Sequence, residues 1–192
     1  MSAGNTGRGP AAVLIGPPGA GKSTVGRLVA RRLGVAFCDT DDRVEAMAGK
    51  PVADIFIEDG EQAFRVLERE AVAWAIAGGG AAGGEGLPGQ AELGGGVIGL
   101  GGGAVLDPDT QRLLAGLPVV YLATGFATAA KRVGIDVPRP LLLGNPRGML
   151  RTLLEQRRPV YEKLARITVS TDDRAPEDIA DDVAAHIGRL RP

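Results

Sequence analysis

Ala11-Ala12-Val13-Leu14-Ile15-Gly16-Pro17-Pro18-Gly19-Ala20-Gly21-Lys22-Ser23-Thr24 is the stretch that decides the fold. A short apolar run, Ala11 to Ile15, passes into Gly-x-x-x-x-Gly-Lys-Ser, and an amphipathic pattern follows. This order reads as strand, glycine loop, helix. The loop's backbone N–H groups point inward and form a nest for an anion. The helix behind it aims the positive end of its dipole at the same spot. There Lys22 can reach the outer phosphates of a nucleotide and Ser23 can offer a hydroxyl to Mg²⁺. Gly19, Ala20, Gly21, Lys22, Ser23 and Thr24 are therefore expected to hold a nucleoside triphosphate with Mg²⁺. What receives the phosphoryl group is left open by the loop itself.

Working outward, strand-like runs alternate with helical patterns. The strand candidates are Ala11–Ile15, Val35–Cys38, Val97–Leu100, Leu117–Leu122 and Ile167–Ser170. Each is continuously apolar, as parallel strands covered on both faces are. Helices are expected over Lys22–Leu33, stopped by Gly34, over Gly60–Ala77, from about Gly148, and over Pro176–Leu190 with its Pro and two acids at the start. Such alternation predicts a doubly wound α/β fold, with helices on both faces of one parallel sheet. Ligands then gather outside the carboxyl ends of the strands.

The 192 residues make one domain with a sizeable core. A net charge of -1 gives no reason to expect nucleic acid or an anionic membrane as partner. One cysteine, Cys38, excludes an internal disulfide and fits a reducing compartment. No apolar run approaches the roughly 20 residues that a membrane span needs. Residues 1–10 are polar and glycine-rich, a flexible start without an apolar signal core, so a cytoplasmic monomer is expected. Residues 78–96 are of low complexity and read as a flexible surface loop.

Five further segments carry candidate chemistry. Asp39-Thr40-Asp41-Asp42 follows the second strand, at the crevice. Its carboxylates can divide the work, one helping to hold Mg²⁺ through water and the other accepting from a substrate hydroxyl. The competing reading is that Asp39 or Asp41 caps the next helix. Arg65 and Glu68 are i,i+3 neighbours, which is either a surface pair or an arginine oriented toward an anionic substrate group. Leu100-Gly101-Gly102-Gly103-Ala104 ends the third strand and lets a ligand touch backbone N–H groups, unless it is only a tight turn. Lys131 to Gly144, with Arg132 and Pro138-Arg139-Pro140, is an irregular loop that can carry Arg139 to the moving phosphoryl group, or an exposed linker. Arg157 falls on the apolar stripe of Leu150, Leu153, Leu154, Tyr161 and Leu164, where a guanidinium needs an anionic partner. Pro159 is expected to kink that helix. His186, Cys38 and Trp74 read as structural.

Taken together these segments resemble the shikimate kinase family. The likeness runs from about Ala12 to Leu190 and rests on 16–24, Asp39-Thr40-Asp41, Gly60-Glu61 with Phe64-Arg65 and Glu68, Leu100 to Ala104, Arg139-Pro140-Leu141-Leu142, and Arg157-Arg158-Pro159-Val160-Tyr161. The resemblance implies a three-layer αβα sandwich of the phosphate-loop class, its five-stranded parallel sheet in the order 2-3-1-4-5. It implies transfer of the ATP γ-phosphate to the 3-hydroxyl of shikimate. By likeness, Arg65 and Arg157 would meet the substrate carboxylate, and Asp41 would bind ring hydroxyls and act as base. Gly102 would offer its N–H, and Arg139, on a lid at about 131–145, would contact the phosphates. Arg132 and Arg174 would lie near the adenine, and Ser23 and Asp39 would serve Mg²⁺. Two features depart from the family: the longer glycine-rich stretch at 78–96, and Pro138 before Arg139, which stiffens the lid tip.

Two rival readings follow from the same loop. One is a kinase for a nucleoside monophosphate or gluconate, since Gly-Pro-Pro-Gly-Ala-Gly-Lys also suits adenylate kinases. The other is a catalytically silent nucleotide-binding regulator. The first lacks a long arginine-rich lid here, and the second should have lost part of the set Lys22, Asp41, Arg65, Arg139 and Arg157.

Overall fold

A computed structural model describes residues 9–78, 95–134 and 145–190. Five parallel strands form one sheet: β1 (Ala12–Ile15), β2 (Phe37–Asp39), β3 (Val97–Gly99), β4 (Val119–Ala123) and β5 (Ile167–Ser170). Their order is β2-β3-β1-β4-β5, as the resemblance implied. The helices are α1 (Lys22–Leu33), α2 (Thr40–Ala48), α3 (Val52–Glu58), α4 (Gly60–Ile76), α5 (Pro108–Leu114), α6 (Phe126–Arg132), α7 (Pro146–Leu164) and α8 (Pro176–Leu190). A single 3-10 turn, Ala104–Leu106, precedes α5.

The alternating side chains of the central strands explain the three layers. Ala12 and Leu14 of β1 join Val120 and Leu122 of β4 in a core with α1 and α8. Val13 and Ile15 face the other way, with Val119, Tyr121, Val72 of α4, Leu114 of α5 and Tyr161 of α7. Every residue of β1 and β3 is buried. The edge strands are not covered in this way. β2 is half-buried throughout, and in β5 only Val169 is buried. An edge strand has one neighbour, so an apolar run there packs against fewer helices than its composition implies.

Two smaller clusters stand off the sheet. Val44, Ile55, Phe64 and Ala71 tie α2, α3 and α4 together. Ala129 and Ala130 of α6 pack on Leu150 and Leu154 of α7. They carry, respectively, the segments bearing Arg65 and Arg132. α7 starts earlier than Gly148, at Pro146, because the Asn145 side chain accepts from the Gly148 N–H at 2.8 Å and caps it. It then continues through Pro159 to Leu164. Proline removes one helical donor there, and the turn that follows is anchored by Tyr161, 1% exposed.

Candidate active site

The phosphate loop is shaped by backbone that only glycine adopts readily. Gly19 and Gly21 sit at φ of +78° and +88°, and Gly21 is the residue before α1. Lys22 folds back over the loop, its Nζ donating to the carbonyls of Gly16 at 2.9 Å and Pro17 at 3.1 Å. Burial pushes the Lys22 ammonium below its usual pKa, while the charges of Asp41 and Asp39 oppose that shift. An arriving phosphate would exchange two neutral carbonyl partners for anionic ones, the stronger contact for an ammonium.

Asp39 caps the next helix and also reaches the phosphate loop. Its Oδ1 accepts from the Asp41 N–H at 3.1 Å and caps α2. Its Oδ2 accepts from Ser23 Oγ at 2.6 Å. Two hard oxygen donors therefore already meet at the mouth of the phosphate loop. That suits Mg²⁺, which takes one or two protein oxygens and fills its octahedron with phosphate and water. Asp42 points out to solvent toward Arg27, 3.6 Å away.

Asp41 is the carboxylate turned inward. Burial, then the neighbouring Asp39, raise it to about 6, and Lys22 pulls in the other direction. Its surroundings explain the triple glycine. A Cβ at Gly101 would lie 2.5 Å from Asp41 Oδ1 and 3.0 Å from Glu68 Oε1. One at Gly103 would lie 2.5 Å from Arg65 Nη1. Gly102 nestles against Pro18 of the phosphate loop. Its carbonyl accepts from Arg157 Nη1 at 3.0 Å and from Tyr161 Oη at 2.7 Å. The glycines are thus a hub on which Asp41, Glu68, Arg65, Arg157 and the phosphate loop close in.

Glu68, 3% exposed, accepts from Arg65 Nη1 at 2.6 Å. The surface-pair reading of these two therefore fails, since one member is buried. Burial raises the Glu68 pKa, while Arg65 and Arg157 hold it down, so both arginines act on one carboxylate. The exposed Glu61 takes the other edge of Arg65, accepting from Nε at 3.3 Å and Nη2 at 3.1 Å. Arg157 donates to the Gly102 carbonyl and lies close enough to the Glu68 carboxylate to favour its ionised form. A cavity of about 620 Å³ opens beside it, lined among others by Leu106, Met149, Leu153 and Gln156.

Beside the phosphate loop, Arg132 donates through Nη1 to the Gly19 carbonyl at 3.1 Å and through Nη2 to the Thr171 carbonyl at 2.9 Å. Arg174, in the turn before α8, bonds that helix through Asp182 Oδ2 at 2.7 Å and the Asp178 carbonyl at 3.2 Å. Arg139 and most of the lid at 131–145 lie outside the described residues, as do residues 79–94 of the glycine-rich stretch and residues 1–8. Cys38 stays a protonated thiol, pushed by burial to about 11. His186 bonds locally, its Nδ1 2.7 Å from the Asp182 carbonyl.

Sequence reasoning passed over two site residues. Thr40, fully buried, accepts from the Gly101 N–H through Oγ1 at 2.9 Å and clips β2's end to the glycine hub. Its position between two aspartates was the only signal. Tyr161 read as core, which it is, but its hydroxyl also holds Gly102. Its ring stacks on Tyr121 at 5.1 Å.

Comparison with known proteins agrees with this geometry. A family model described as "Shikimate kinase" matches residues 18–188. A shikimate kinase of Thermobifida fusca (strain YX) is 54% identical over 93% of this chain and 95% of its own. One from Salinispora arenicola is 51% identical over 92% of this chain and 96% of its own. Among solved structures, shikimate kinase from Acinetobacter baumannii in complex with shikimate superposes with a TM-score of 0.78 at 33% identity, covering 94% of this chain and 93% of its own. The phosphate loop, the glycine hub and the arginines around it therefore sit in a chain that belongs to the shikimate kinase family.

Proposed function

We propose that this chain transfers the γ-phosphate of ATP to the 3-hydroxyl of shikimate, giving shikimate 3-phosphate and ADP. The observation that carries this is the glycine hub. Beside a phosphate loop it gathers one inward carboxylate, Asp41, and two arginines, Arg65 and Arg157, on separate elements. That is a receptor for a hydroxylated organic acid, and the family supplies its name.

The family resemblance suggests a role for each residue, and the geometry supports several of them. Arg65 is braced by buried Glu68, and with Arg157 it meets the substrate carboxylate; a guanidinium fork suits two carboxylate oxygens. The Gly102 N–H donates to the substrate. Asp41 accepts the 3-hydroxyl proton; with a pKa of about 6 it is mostly ionised at neutral pH yet basic enough to take it. The bond from O3 to the γ-phosphorus forms as the bond to the β-bridging oxygen breaks, and ADP leaves. Lys22 and the loop N–H groups stabilise the charge spread over the phosphoryl oxygens, with Arg139 as a further cation from the lid. Ser23 and Asp39 would hold Mg²⁺, which would supply charge neutralisation at the phosphates. Arg132 and Arg174 belong to the adenine side in this reading.

A cytoplasmic monomer, folded as one domain, is part of the same proposal. The lone Cys38 fits a reducing compartment, and no helix among the described residues is long and apolar enough to cross a membrane. The test is a coupled ADP-release assay with ATP, Mg²⁺ and shikimate. Shikimate-dependent ADP release is expected. Release with AMP or gluconate but not with shikimate, or ATP binding with no release at all, overturns the reading.

A further inference from the structure

Asp172 lies in the turn between β5 and α8, two residues before Arg174, and has been given no role above. Its Oδ1 accepts from Thr124 Oγ at 3.1 Å, and its two oxygens accept from the Gly125 N–H at 3.0 and 2.9 Å. The Thr128 hydroxyl, one turn into α6, adds another hydrogen bond. Gly125 is the residue before α6 and has no side chain with which to cap it. The cap is supplied instead from a different strand's end. The fit is close: a Cβ at Gly125 would lie 3.0 Å from Asp172 Oδ2. Burial works against the ionised carboxyl, but the bonds from Thr128, Gly125 and Thr124 outweigh it and hold the group below the usual carboxylate range.

The other end of α6 is held by the neighbouring residue. Arg132 closes the helix and donates to Thr171 through both Nη atoms, to Oγ1 at 3.2 Å and to the carbonyl at 2.9 Å. The same guanidinium reaches the Gly19 carbonyl in the phosphate loop. Mid-helix, the Ala129 carbonyl would lie 3.0 Å from a Cβ on Gly19, so α6 rests directly on the loop. One turn, Thr171-Asp172, thus fixes both ends of a helix that forms a wall of the phosphate loop.

We propose that Asp172 is a positioning residue for the nucleotide, acting through α6 and Arg132 on the shape of the phosphate loop at Gly19. This rests on the reading that ATP occupies that loop. The partners of Asp172 are Thr124, Gly125 and Thr128 and none belongs to the glycine hub, so its loss should be felt in ATP binding and not at the hub, which other elements build.

The experiment compares Asp172→Ala and Asp172→Asn by steady-state kinetics with each substrate varied, together with thermal unfolding. Asp172→Ala is expected to raise the ATP KM about tenfold, the scale of lost hydrogen bonds to a charged group, and to leave the shikimate KM within about twofold. Asp172→Asn keeps one acceptor for the Gly125 N–H and should recover most of the ATP affinity. If Asp172→Ala does not fold, Thr128→Val removes one donor, and an ATP KM raised about threefold is expected of it. An unchanged ATP KM in the folded variant, whatever its melting temperature, overturns the proposal. So does an equal rise in both KM values. Lys22→Ala run alongside separates the two levels: turnover that survives it would defeat the phosphate-loop reading, not the role of Asp172.

Discussion

Lys22 and Arg157 both end on backbone carbonyls of glycine-rich loops, yet the two loops are made by different means. The loop at 16–24 is one continuous stretch, and its shape comes from its own backbone, with glycines at positive φ. The hub at 101–103 has little shape of its own. Side chains from three other elements define it: Thr40 and Asp41 at the start of α2, Arg65 and Glu68 from α4, Arg157 and Tyr161 from α7. The first site is local and the second is assembled. Apart from the wall that α6 and Arg132 build against Gly19, the donor loop should therefore tolerate changes elsewhere in the fold, while the acceptor site should fail when any one of its neighbours is displaced.

The largest expected effect joins the two. Asp41→Asn removes the base and should lower kcat by roughly 10²–10⁴-fold. It should also stabilise the protein. Asp41 has a folded pKa of about 6 against an ordinary 3.8, so the folded state binds the proton more tightly than the unfolded chain. Stability contributed by the protonated form is then lost as pH rises from about 4 to 6. Asparagine escapes that loss, so the variant should unfold at a higher temperature above pH 6, by up to about 2–3 kcal/mol of stability. Thermal melts at pH 4 and pH 8 check it: a gain confined to the higher pH is expected. The acidic limb of the wild-type rate profile should also fall near pH 6.

Next comes the donor side alone. Lys22→Ala should lower kcat roughly 10²–10³-fold, the cost of one lost stabilising cation or donor, and leave shikimate binding by calorimetry nearly unchanged. A matching loss of shikimate affinity would mean that the two sites are not separate. The acceptor side is probed by Gly101→Ala. The new methyl would sit 2.5 Å from Asp41 Oδ1 and 3.0 Å from Glu68 Oε1, pushing both carboxylates aside. Displacements of this kind cost up to about 10²-fold, so kcat/KM for shikimate should fall by that order while the ATP KM stays put.

The smallest effect has the opposite sign. Glu61 occupies the Nε and Nη2 edge of Arg65 with an exposed carboxylate. Such an i,i+4 pair is worth about 0.3–0.5 kcal/mol. Glu61→Gln should release the arginine and lower the shikimate KM about twofold. A raised KM would show that Glu61 orients Arg65 and does not compete for it.

The same contrast explains what was legible in the sequence. The glycine loop and α1 could be read in place, because a local motif carries its own geometry. All five strands were recognisable as apolar runs, though the partial exposure of β2 and β5 was not, since a run does not reveal which strand has no outer neighbour. Arg157 was found by periodicity, but its bond to the Gly102 carbonyl was not, because Gly102 lies 55 residues away in sequence. Thr40, the Tyr161 hydroxyl and Asp172 escaped for the same reason: each serves a glycine on a distant segment, and nothing local marks such a contact.

The central claim is that one organic acid lies across the assembled hub beside the phosphate held by Lys22. A crystal structure with shikimate and a non-hydrolysable ATP analogue tests it most directly. The account predicts a single carboxylate contacting both Arg65 and Arg157, with a ring hydroxyl on Asp41. A shikimate carboxylate bound away from either arginine, or a ring whose hydroxyls do not reach Asp41, would contradict it.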